Sequence, residues 1–82
     1  MSNGYRTLHS IACDIYVSWP KPSPHAVPYI QAMRYLSDIT DMYGEDSADS
    51  IVRYFLSNAT TWRGEDARRI KAELKSMLKS VK

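Results

Sequence analysis

Eighty-two residues, 44% hydrophobic and 24% charged with a net charge of +2, specify a single domain, 1–82, of ordinary globular composition. A chain of this length buries little more than ~60% of the surface its unfolded form exposes, so marginal stability is expected. Cys13 stands alone, which excludes an internal disulfide and a cysteine-based zinc framework. No apolar run approaches the roughly 20 residues that cross a bilayer, and the opening MSNGYRTLHS lacks the pattern of a secretion signal. The expected setting is the cytoplasm, away from membranes.

The first segment carries Tyr5, Leu8, Ile11, Ala12, Ile15, Tyr16 and Trp19 at steps of three and four, an amphipathic helix over about 4–19 with Asn3 as N-cap. Prolines at 20, 22, 24 and 28 then impose a stiff, extended connector over 20–28, because they remove amide donors and push each preceding residue out of helical geometry. PKPSP matches a PxxP ligand only imperfectly, and a rigid connector explains it.

Pro28 suits a helix's first turn, and Tyr29, Ala32, Met33, Leu36, Ile39 and Tyr43 extend the helical spacing to a stop at Gly44, predicting a second helix over 26–43. Asp46 or Ser47 caps a third over 47–60, whose apolar face is Ala48, Ile51, Val52, Phe55, Leu56 and Ala59. No segment alternates polar and apolar residues long enough to predict a strand. In TWRGED, Trp62 plugs the junction, Gly64 supplies the corner, Thr60 or Thr61 offers a cap, and Glu65 and Asp66 favour the start of a fourth helix over 64–80. The expected fold is all-α, a small compact bundle of four helices.

Charge is unevenly distributed. Asp38, Asp41, Glu45, Asp46 and Asp49 form an acidic stretch, whereas 63–82 holds seven bases against Glu65, Asp66 and Glu73. On a wheel of about 100° per residue, Arg68, Lys71, Lys75, Lys79 and Lys82 share an arc of roughly 80°, beside the apolar arc of Ala67, Ile70, Leu74, Met77, Leu78 and Val81. Such asymmetry steers a partner or pairs one copy with another.

Catalytic and metal motifs fail on spacing. An EF-hand loop counted from Asp41 meets Tyr43 at position three and Asp46 where glycine is required. His9 and Cys13, four apart on the first helix, are two ligands without a third, and His25 lacks an orienting partner for a nucleophilic pair with Cys13. Glycines at 4, 44 and 64 make neither a phosphate loop nor a nucleophile elbow. No enzyme activity, cofactor or metal is expected. Aromatics are more telling: six tyrosines and two tryptophans exceed what one core takes, and Tyr35 and Tyr54 leave the sides of their apolar arcs as candidate interface anchors.

Two binding functions follow. A protein-binding module would use Arg63, Arg68, Lys71, Lys75 and Lys79 with Tyr35 or Tyr54. A nucleic-acid binder would use the same stripe, although Glu65 and Asp66 would meet phosphates in the leading turn of a helix-turn-helix, and Thr60 rather than Ala59 stands at its small buried position. The segments AVPYIQAM and YGEDSADSIVRYFLSNATTWRGEDARRIKAELKSML resemble short, uncharacterised proteins of temperate bacteriophages and prophages. The resemblance covers the last two thirds of the chain and carries no activity or site residues. It implies an accessory protein or stoichiometric inhibitor acting on a host protein of the defence, replication or transcription machinery.

Overall fold

A computed structural model describes residues 6–80. The described residues are mostly helical, with four helices and one two-stranded sheet: α1 (Leu8–Ser18), α2 (Val27–Met33), β1 (Met42–Tyr43), β2 (Asp46–Ser47), α3 (Ala48–Ser57) and α4 (Glu65–Lys79). Its radius of gyration, 11.5 Å, is that of a tightly packed chain of this length, about 12 Å. Helix α2 packs on α1 and α3, and α4 closes against both of those. Leu8, Ile11, Ile15, Ile30, Met33, Phe55, Ile70 and Leu74 are fully buried in the shared core.

Helix α1 starts at Thr7, whose hydroxyl oxygen accepts a hydrogen bond from the Ser10 amide at 3.1 Å. The Asn3 cap expected from the sequence lies outside the described residues. Two further amides of the opening turn are satisfied from afar: Leu8 N donates to Ser37 O and His9 N to Leu36 O, at 3.0 and 2.9 Å.

That arrangement explains the main correction to the expected fold. The second helix does not run to Gly44 but ends at Met33. Beyond it the chain leaves the helical path so that its carbonyls can cap α1, while Leu36 and Ile39 keep their places in the core. The loop is fixed by Asp41, whose carboxylate accepts from Ser37 N and Asp38 N, both at 2.9 Å. These bonds hold the Asp41 carboxyl below the usual carboxylate range.

The segment read as the end of that helix is a hairpin, Met42 opposite Ser47 and Tyr43 opposite Asp46, contrary to the expectation of no strand. Gly44, at φ 63°, supplies the left-handed residue that a two-residue hairpin loop requires. Ser47 caps α3 by accepting from Ser50 N at 3.3 Å.

Candidate functional site

Helix α3 gives out at Ser57, and 58–64 turn the chain into α4. Trp62 is 4% exposed; it stacks on Trp19 at 5.2 Å with the planes 6° apart, and Phe55 meets both indoles edge-on. This aromatic cluster locks the corner, as the sequence predicts for Trp62. The N-cap of α4 is Gly64, at φ 111° and ψ −178°, and no side chain caps it, so the expected cap by Thr60 or Thr61 is not formed. Glu65 and Asp66 occupy the first turn, where their charge favours the helix dipole.

A cleft of about 450 Å³ opens at this corner, lined by Thr60, Trp62, Arg63, Gly64, Ala67, Arg68 and Lys71. Three cations therefore share one concavity. Arg63 and Arg68 are exposed and form no ion pair among the described residues. Lys71 differs. Its ammonium donates to Ala59 O at 2.6 Å and Trp62 O at 2.7 Å, and stands 5.9 Å from the Trp62 ring centre. Burial, reinforced by the positive charges of Lys75 and Arg63, lowers the Lys71 pKa from the usual lysine value. The two carbonyls favour the charged form and oppose that drift.

Lys71 is thus half-withdrawn from the stripe, at whose edge beside the apolar arc the helical wheel puts it, and it ties the corner to α4. The outward stripe is Arg68, Lys75 and Lys79, within about 40° of one another and spanning roughly 17 Å of helix, with Arg63 at its head. Like Arg63 and Arg68, exposed Lys75 and Lys79 meet no carboxylate among the described residues.

The two candidate tyrosines lie elsewhere. Tyr35, 74% exposed, follows α2, with its ring 6.4 Å from that of Tyr43 on the hairpin. Tyr54, 53% exposed, leans on Tyr29 of α2 at 5.6 Å. Neither lines the cleft.

A second set of charges is matched between the elements. Arg6 grips Glu73 with two hydrogen bonds, at 2.8 and 3.2 Å, and reaches Asp14 at 3.0 Å; Arg69 joins Asp14 at 3.3 Å and Asp66 at 3.2 Å. This network stitches the chain before α1, and α1 itself, to α4. Hydrogen bonding from Arg6 holds the Glu73 carboxyl below its usual range. Burial pushes Asp14 upward, but hydrogen bonds from Arg6 and Arg69 outweigh it and leave that carboxyl lowered too. The sequence gives little sign of these partners, since Arg6 and Glu73 lie 67 positions apart.

Among the described residues no helix is long and apolar enough to cross a membrane, and no three His, Cys, Asp or Glu side chains gather as a metal site. Comparison with known protein families, curated proteins and solved structures finds no match.

Proposed function

We propose that this chain is a non-catalytic binding module that engages an acidic protein surface through Arg63, Arg68, Lys75 and Lys79. The observation that carries this reading is that Arg68, Lys75 and Lys79, unmatched among the described residues, share one face of α4 with Arg63 at its head, whereas Arg6, Arg53 and Arg69 are each matched to carboxylates and the other unmatched bases, Lys21 and Arg34, lie outside that helix. Exposed charges that are left unpaired contribute little to folding, yet they steer association and set orientation. The acidic hairpin, with exposed Glu45 and Asp46, adjoins the start of α3, and the corner follows that helix's other end, about 15 Å away along its axis. An acidic partner is therefore drawn to the corner and repelled from the hairpin.

The phage resemblance supplies context for this reading: a stoichiometric inhibitor or accessory factor acting on a host protein needs a complementary surface and no catalytic groups. Nucleic acid is the second reading, favoured by the regular spacing of the same cations. It is opposed by Glu65 and Asp66, both exposed in the leading turn of α4.

The test is affinity capture from a bacterial lysate with the wild-type chain and with an Arg68→Glu, Lys75→Glu, Lys79→Glu variant that leaves Lys71 intact. A stoichiometric protein partner that resists nuclease treatment and is lost with the variant is expected. Nuclease-sensitive capture would move the assignment to the second reading, and identical capture by both proteins would remove the surface from consideration.

A further inference from the structure

On α1, His9 and Cys13 are both exposed and one helical turn apart, with His9 Nε2 3.8 Å from Cys13 Sγ. The other ring nitrogen, Nδ1, lies 2.7 Å from Arg34 O. A carbonyl oxygen only accepts, so Nδ1 carries the proton and Nε2 presents its lone pair beside the sulfur. Fixing a ligating imidazole through its far N–H on a backbone carbonyl is the usual outer-shell arrangement of histidine metal sites. Zinc bonds of roughly 2.3 Å to sulfur and 2.0–2.1 Å to nitrogen, at a tetrahedral angle, put the two ligand atoms about 3.6 Å apart. The observed separation needs only a slight side-chain adjustment to meet that value.

We propose that His9 and Cys13 form half of a tetrahedral zinc site, completed by the same pair from a second copy of this chain, so that one Zn²⁺ joins two α1 helices. The site is incomplete in one copy, since two ligands leave half the coordination sphere open and no third His, Cys, Asp or Glu joins them among the described residues. A twofold axis through the ion supplies two thiolates and two neutral imidazoles, a ligand set that zinc accepts with no net charge left on the centre. On binding, each Cys13 thiol releases its proton to solvent, each Nε2 donates its lone pair, and each Nδ1–H stays with the Arg34 carbonyl. Val17, one turn beyond Cys13 on the same stripe and 81% exposed, is the apolar surface that the second α1 would cover.

The test uses the full chain under a phosphine reductant, which prevents a Cys13 disulfide from mimicking the dimer. Without metal, sedimentation should give a monomer. Half an equivalent of Zn²⁺ should give a dimer that a chelator reverses. Co²⁺ as a spectroscopic probe should show thiolate-to-metal charge transfer and intense tetrahedral d–d bands, saturating at one ion per two chains. Cys13→Ser should abolish both the bands and the dimer, and so should His9→Gln, whose amide can still donate to Arg34 O; circular dichroism checks that each variant stays helical. Saturation at one ion per chain with monomer mass would overturn the proposal, as would the absence of cobalt bands or a metal-dependent dimer that survives either substitution.

Discussion

The Lys71 ammonium lies 2.6 Å from the carbonyl oxygen of Ala59, so a lysine of the basic stripe also closes the end of the preceding helix. Its second bond, to Trp62 O, fixes the corner between the two helices. Lys71→Met keeps the aliphatic stem but takes the donor from Trp62 O and leaves Ala59 O with only the Trp62 amide. With charge-assisted hydrogen bonds worth about 1.5–3 kcal/mol, a loss near 2 kcal/mol is expected, which in a domain of this size lowers the melting temperature by about 10 °C. Thermal unfolding followed by circular dichroism checks this, and an unchanged midpoint would deny Lys71 its structural role. Arg68→Glu with Lys75→Glu should instead move stability by no more than about 0.5 kcal/mol, since neither side chain has a partner to lose among the described residues.

If the stripe binds duplex DNA at all, four cations neutralise about four phosphates, and the logarithm of the affinity falls with the logarithm of salt at a slope near −4. Retention on a DNA column across a salt series measures it. Passage through the column at low salt is the outcome expected for an acidic-protein binder.

Gly64 combines φ 111° with ψ −178°, a region that essentially only glycine occupies, and a Cβ there would meet nothing within 4 Å. Gly64→Ala therefore reports backbone strain without a clash, and should cost about 1–3 kcal/mol. Gly44, at φ 63°, stands in the left-handed region that asparagine tolerates, and it too is open to solvent. Gly44→Asn should then be the milder of the two changes. Urea denaturation of both variants gives the comparison, and equal losses would contradict it.

The indole stack of Trp19 and Trp62 joins the end of α1 to the corner, with Phe55 edge-on between helices. Trp62→Ala should cost about 3–5 kcal/mol, most of the stability expected of so small a domain. Trp19→Phe keeps apolar contact and should cost about 1 kcal/mol. Because the stack holds both tryptophans, that milder change should also remove the coupled indole signal from the circular dichroism spectrum while helix content persists. Its survival would show that the rings do not stack in solution.

Periodicity made α3, α4 and most of α1 legible, because each buries one continuous apolar stripe and the spacing of that stripe is a local property. The same signal misled at α2. Leu36 and Ile39 are buried at helical spacing, yet they reach the core from a loop whose carbonyls are drawn to the Leu8 and His9 amides. No local pattern announces that competition. Trp62 and Gly64 were legible as a corner because an indole beside a glycine between helical stretches has few other uses. The inward turn of Lys71 was not, although its place beside the apolar arc was the available hint: a long stem at that border can fold back as readily as reach out.

Arg6 and Glu73 are invisible to such patterns, and their pairing makes a pH-dependent prediction. The Glu73 carboxyl is lowered in the folded chain, chiefly by hydrogen bonding from Arg6. A group whose folded pKa lies below its unfolded value of about 4.3 contributes its stability above that pH, and loses it as the pH falls through the folded value. Glu73→Gln removes the charge and with it this contribution, about 1 kcal/mol for a pair that stays partly exposed. The stability gap between wild type and variant should be full at pH 7, begin to shrink below about pH 4, and vanish once Glu73 is protonated in the fold. Asp14 is lowered in the same way and stays in the variant, so part of the acid sensitivity should remain. Urea unfolding of both proteins from pH 7 down to pH 3 reads this directly: a gap that stays constant over that span would mean that Arg6 holds Glu73 no more tightly in the folded chain than water does in the unfolded one.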